Sequence, residues 1–185
     1  MTKALEDEAI SRMVKALEAL VTSFSRIRTG RAHPKLLDGI SVDCYGIETP
    51  ISHASSISVE DARTLSVVPW DRSLVPEIEK AIMRSNLGLN PSTSGLVIRI
   101  PLPALTEETR KIYTKQAKSE AEQSRVSIRN IRRDIISKFR TLQKAAEITE
   151  DEVRKGQDEV QKITDLYISK VEQLLVSKER DLMEI

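Results

Sequence analysis

Residues 125–134 read RVSIRNIRRD, and the interpretation of this stretch decides the fold. It lies in a run without glycine or proline that covers 104–155, so no strong breaker interrupts a helix there. Wound at about 100° per residue, the run gathers Arg125, Arg129, Arg132 and Arg133 into an arc of roughly 100°. Ile128, Ile131, Ile135, Phe139 and Leu142 fill the adjoining arc. One side is built for burial. The next presents guanidinium groups, which pair bidentately with phosphate and do not deprotonate. The pattern predicts a rigid helix with a polyanion-binding face.

Charge is segregated around this stretch. Residues 110–144 hold eleven Lys/Arg against three Asp/Glu, and residues 145–185 hold six against eleven, although the whole chain of 185 residues carries a net charge of only +1. A local basic surface on a near-neutral chain points to a specific polyanion site rather than generic adhesion. Aromatic residues make up 3% and charged residues 31%, a balance that favours long solvated helices. No apolar run approaches the roughly 20 residues of a membrane span, and the N-terminus, MTKALEDEAISRM, is acidic where a secretory signal would be apolar. The single Cys44 excludes an intramolecular disulfide and a multi-cysteine metal site. A cytoplasmic protein is the expectation.

All seven prolines fall between Pro34 and Pro103, and five of six glycines between Gly30 and Gly95. The helical flanks therefore enclose a domain of different character, the chain leaving near Gly30 and returning near Pro103. In the first flank Met13, Leu17, Leu20, Phe24 and Ile27 step by 4, 3, 4 and 3, a packing seam. In the last, Thr149 and Glu152 form a capping box. Val153, Val160, Tyr167 and Leu174 then recur every seven residues, supported by Ile163, Val171 and Leu182. Three amphipathic segments of roughly 28, 40 and 36 residues predict an antiparallel three-helix bundle. The fold class is α+β: residues 1–30 and 104–185 form the bundle, and 31–103 a small inserted β/α/β domain.

Within the insert, Ile40, Val42 and Cys44 alternate with polar neighbours as a half-buried strand does. Further strands are expected at 47–51, 57–59, 65–68 and through Leu96, Ile98 and Ile100. Ser73 is placed as the cap of a helix running to about Asn86, with Pro76 in its first turn and Gly88 at its end.

Little here suggests catalysis. His33 and His53 lack ligand-like companions and read as loop histidines. Ser52, Ser55, Ser56 and Ser58 surround His53 without a nucleophile elbow. Glu60, Asp61, Glu107 and Glu108 read as solvated charges. Tyr45 and Trp70 read as packing residues ahead of exposed stacking platforms. The arginines have a bland alternative too, as partners of the acidic last segment. No enzyme activity, cofactor or metal is expected.

A family resemblance runs through the same residues: RTGRA at 28–32, LLDGI at 36–40, YG at 45–46, VED at 59–61, RTL at 63–65 and DRS at 71–73. It continues with EKAIM at 79–83, LGLNP at 87–91, IPLP at 100–103, LTEE at 105–108 and RNIRRD at 129–134. In these strings, ordered over essentially the whole length, the chain resembles bacterial ribosome recycling factor. The resemblance implies an elongated, L-shaped molecule in which a two-stranded hinge joins bundle and insert, at Gly30, Arg31, Pro103 and Ala104. It implies a monomeric translation factor, not an enzyme, that binds the post-termination ribosome. With elongation factor G and its GTP, such a factor promotes disassembly into subunits. It also implies contacts to large-subunit ribosomal RNA by Arg28, Arg31, Arg110, Arg129, Arg132 and Arg133, with Arg132 foremost. Two positions depart from the family pattern. His33 replaces a small residue and is expected to alter hinge packing. Gly156 stands inside the third helix, where glycine costs roughly 1 kcal/mol relative to alanine, and is expected to soften the bundle. Competing readings are a self-associating helical scaffold and a hydrolase built on the insert.

Overall fold

The computed structural model describes residues 1–184, which fall into two compact units. One combines Met1–Ile27 with Ile112–Arg180. The other holds Arg28–Lys111 and the chain end from Asp181.

The first unit is helical. Helix α1 spans Thr2–Arg26, α4 spans Glu107–Lys144 and α5 spans Glu150–Met183. Ala9, Met13, Leu20 and Phe24 of α1 are buried with Ala117, Ala121, Ile128, Ile131, Ile135 and Phe139 of α4, and with Val153, Val160, Tyr167 and Val171 of α5. Leu17, Ile163 and Leu174 are half-buried. Leu175, rather than the half-buried Leu174, is buried in α5, and Leu182 is fully buried near its end.

Charged pairs report the directions. Arg12 meets Asp134 and Glu8 meets Lys138, so α1 and α4 run antiparallel. Lys118 lies near Glu179, Arg125 meets Glu172 and Arg132 meets Gln161, so α4 and α5 run antiparallel as well.

The α4–α5 turn closes tightly. Ala146 takes φ 56°, and the Glu147 N–H donates to the Leu142 carbonyl at 3.0 Å. The capping box forms: the Thr149 N–H donates to the Glu152 carboxylate at 2.7 Å, and the Glu152 N–H to Thr149 Oγ1 at 3.3 Å.

Gly156 corrects an expectation. A Cβ placed there would lie 2.5 Å from Phe139 Cζ, so the glycine makes room for a buried ring on the facing helix. What looked like a soft spot is a close packing contact.

The second unit is a small antiparallel α+β assembly. Strands β1 (Ser41–Cys44) and β2 (Ile47–Pro50) pair as a hairpin, Cys44 opposite Ile47. Strands β3 (Ser55–Asp61), β4 (Thr64–Pro69), β5 (Ser92–Ser94) and β6 (Val97–Pro101) form a sheet in the order β3-β4-β6-β5. Helix α3 (Val75–Arg84) buries Ile78 and Ile82 in a core with Leu37, Val42, Leu65, Val67, Ile98 and Ile100.

Several local expectations shift. Ile51 does not extend β2 but opens a single-turn helix, α2 (Ile51–Ala54), which also carries His53 out of the expected loop. Ser73 does not cap α3. Asp71 instead accepts the Ser73 N–H at 3.0 Å and caps a 3-10 turn at Arg72–Leu74 that leads into α3. Leu96 is exposed in the β5–β6 turn rather than paired. Tyr45 and Trp70, expected to pack, are 77% and 70% exposed. Gly30 keeps an ordinary backbone, with open space where a Cβ would stand.

The segments around residues 32 and 102 share one anchor within the second unit. The Ala32 N–H donates to the Ala62 carbonyl at 2.8 Å, and the Leu102 N–H to the Arg63 carbonyl at 2.7 Å. Both thus bind the β3–β4 turn, which Asp61 braces by accepting the Arg63 N–H at 2.8 Å.

Candidate nucleic-acid interface

Helix α4 buries Ile128, Ile131 and Ile135 along one stripe, and this fixes where its arginines stand. They are not equivalent. Arg125 is only 18% exposed in its side chain and is held by Glu122 at 2.8 Å and by Glu172 of α5. It belongs to the framework, as the bland reading had it.

Further along, the partners thin out. Arg129 reaches Glu122 only at 3.4 Å, a long approach for a charge-assisted bond. Arg132 donates to the neutral Gln161 side chain at 3.1 Å. Arg133 is exposed, and no hydrogen bond or ion pair engages it among the described residues. Asp134, the carboxylate that closes the 125–134 stretch, is taken by Arg12 of α1, which holds its carboxyl below the usual range chiefly through their hydrogen bond.

The cationic face continues beyond the expected residues. Arg129, Arg133, Arg140 and Lys144 lie within about 60° of one another around the helix. Arg140 and Lys144 are exposed and form no ion pair among the described residues. Their offsets of 4, 11 and 15 from residue 129 are the signal that would have found them.

Arg28, Arg31 and Arg110 belong to the second unit, while Arg129, Arg132 and Arg133 belong to the first. Helix α1 stops at Arg26, so Arg28 and Arg31 lie beyond its end. Arg28 donates to the Leu87 carbonyl at 3.1 Å. Arg31 pairs with Glu184. Arg110 has a buried Nε without a hydrogen-bond partner and borders a cavity of about 160 Å³ with Arg31, Arg63 and Glu184. Among the described residues no group of three potential metal ligands occurs, and no helix is long and apolar enough to cross a membrane.

Comparison with known proteins gives this geometry a context. The family model for ribosome recycling factor matches residues 20–183. The chain belongs to the ribosome recycling factor family. Similar members include a ribosome-recycling factor from a Marinomonas species, 58% identical over 185 residues with all of both chains covered. Another, from Saccharophagus degradans, is 54% identical at the same coverage. The fold agrees with the family's solved structures. A solution structure of ribosome recycling factor matches with a TM-score of 0.77 and 35% identity, covering 100% of this chain and 98% of that one. A structure of the T. thermophilus ribosome recycling factor with E. coli elongation factor G, bound to the E. coli post-termination complex, matches with a TM-score of 0.69 and 42% identity over all of both chains.

Proposed function

We propose that this protein is a translation factor that binds the post-termination ribosome in the cytoplasm and, with elongation factor G and GTP, promotes its separation into subunits. One observation carries the reading beyond family membership: α4 presents arginines that its own bundle leaves without strong counter-ions. Guanidinium groups held on a rigid helix suit the phosphates of folded RNA.

Arg129, Arg132 and Arg133 are proposed to bind large-subunit ribosomal RNA, with Arg28, Arg31 and Arg110 as further RNA-binding residues. Residues 1–30 and 104–185 are assigned to ribosome binding and 31–103 to the inserted domain. Gly30, Arg31, Pro103 and Ala104 are assigned as the crossings that absorb backbone change. The chemistry of GTP hydrolysis resides in the partner, and the factor acts as a monomer.

The test is the dissociation constant for large subunits across a salt series, for the native chain and Arg132→Ala. Each phosphate neutralised releases counterions, so the native chain should show a steep slope and the variant a shallower one. A flat slope in both would remove phosphate binding as the mechanism.

A further inference from the structure

Across the α4–α5 interface, cations and carboxylates form a ladder with steps of seven residues. Lys118 and Arg125 stand one step apart on α4, and their partners Glu179 and Glu172 stand one step apart on α5. A step of seven residues makes about two turns and returns to the same side of a helix, and antiparallel packing reverses the count on the partner. Arg132 is the next step along α4, and the same register sets Asp165 of α5 to receive it.

That third rung does not form. Arg132 makes no ion pair among the described residues and donates instead to Gln161 Oε1 at 3.1 Å. Gln161, one helical turn before Asp165, donates its own amide N–H to Asp165 Oδ1 at 2.8 Å. The glutamine therefore stands between a guanidinium, which only donates, and a carboxylate, which only accepts. This fixes which end of its amide faces which neighbour, and the amide joins them without bringing a charge of its own.

The consequence is electrostatic. On the second rung Arg125 is only 18% exposed in its side chain, between Glu122 and Glu172. On the third, a neutral carbonyl orients the guanidinium while the Asp165 carboxylate is engaged by the amide. A guanidinium carries five N–H donors, so the bond to Gln161 leaves others for a bidentate phosphate contact. A side chain already held in place also loses less freedom when it binds.

We propose that Gln161 is a positioning residue for Arg132. It takes the place of Asp165 on the third rung, orients the guanidinium through a neutral carbonyl and presents it to an RNA phosphate with its charge uncompensated. This deepens the ribosomal reading above, on which it rests, and adds a residue of α5 to the arginine face of α4.

The experiment measures the dissociation constant for purified large subunits across a salt series. The chains compared are the native one, Arg132→Ala, Gln161→Glu, Gln161→Leu, and each Gln161 variant combined with Arg132→Ala. Gln161 is exposed, so its replacement leaves the core intact. Gln161→Glu completes the rung with a carboxylate and should weaken binding about tenfold while making the salt slope shallower by about one, as loss of one phosphate contact does. Gln161→Leu releases Asp165 to the guanidinium and should act in the same direction, and adding Asp165→Asn to it should restore the slope. In the Arg132→Ala background neither change at 161 should alter binding by more than about threefold, because Gln161 acts through Arg132. A glutamine that merely supported the bundle would change melting and leave the slope alone. A native slope in Gln161→Glu, a loss that persists undiminished without Arg132, or a slope that stays shallow after Asp165→Asn overturns the positioning role while the ribosomal reading stands. If Arg132→Ala alone binds with native affinity and slope, phosphate binding by Arg132 fails, and the positioning role falls with it.

Discussion

The two ends of the α4–α5 interface are held together by different means. Toward residues 118–125, charge ties the helices: Lys118 lies 3.7 Å from Glu179, and Arg125 is enclosed by Glu122 and Glu172. Toward residues 129–144, the close approach is apolar, with the Phe139 ring against Gly156, and the chain is closed by the capped turn at Thr149. At this end no α4 cation is paired with a carboxylate of α5 among the described residues, although Lys138 pairs with Glu8 of α1. That is why Arg133, Arg140 and Lys144 remain available where Arg125 does not.

The largest expected effect comes from emptying the packed end of its charge. Replacing Arg129, Arg132 and Arg133 together by alanine should weaken large-subunit binding by on the order of a hundredfold at physiological salt and flatten the salt slope by roughly one for each phosphate no longer neutralised. Melting should hardly move, since exposed arginines contribute little to folding. A drop in melting temperature without a change in slope would show that both ends are structural.

The packing itself is broken by Gly156→Ala. Helix propensity favours alanine by roughly 1 kcal/mol, yet the added methyl collides with the Phe139 ring, and overpacking of this kind costs about 1–3 kcal/mol. Denaturant unfolding should show a net loss, partly recovered by adding Phe139→Leu. A stabilised Gly156→Ala chain would sink the packing account.

The cap sharpens the comparison through pH. Thr149→Ala should cost about 1 kcal/mol at neutral pH. The Glu152 carboxyl is held below its usual range, first by the Thr149 N–H and then by its hydroxyl. A depressed carboxylate stabilises the fold above its unfolded titration range and loses that contribution as pH falls through the folded value. The gap between native and Thr149→Ala melting should therefore narrow in acid. Because the variant keeps the residue 149 N–H, a gap independent of pH would mean that the Thr149 hydroxyl contributes nothing through the carboxylate.

At the charged end the smallest change is expected. Arg125→Ala should lower stability by no more than about 1 kcal/mol, because Glu122 and Glu172 are half exposed and solvent screens the pairs. Ribosome affinity should stay within about twofold of native, where a phosphate left without its cation would cost more. A binding defect as large as that of Arg132→Ala would erase the distinction between the ends.

The long helices of the flanks and the strand-rich middle were legible in the sequence because each rests on a long-range period or on the placement of breakers. What escaped depended on a facing element. No spacing within α4 tells Arg125 from Arg133, since the register of α5 decides which arginine meets a carboxylate. Gly156 reads as a helix weakener until Phe139 is seen opposite it. Trp70 and Tyr45 read as packing residues because aromatic composition carries no information about which side of a strand end faces water. The Ser73 cap was misplaced by two residues because Asp71 offered an equivalent oxygen to an earlier turn.

The β3–β4 turn that binds residues 32 and 102 has a consequence for how the chain assembles. Helices α1 and α4 are neighbours in the bundle but are separated by the whole insert, so docking them in an unfolded chain closes a loop of roughly 70 residues. Once Ala62 and Arg63 hold residues 32 and 102 side by side, the same docking behaves like closure of a loop of only a few residues. The difference is roughly 2 kcal/mol of chain entropy on logarithmic scaling. The small sheet thus serves as a staple in folding, and the order of events should run from insert to bundle.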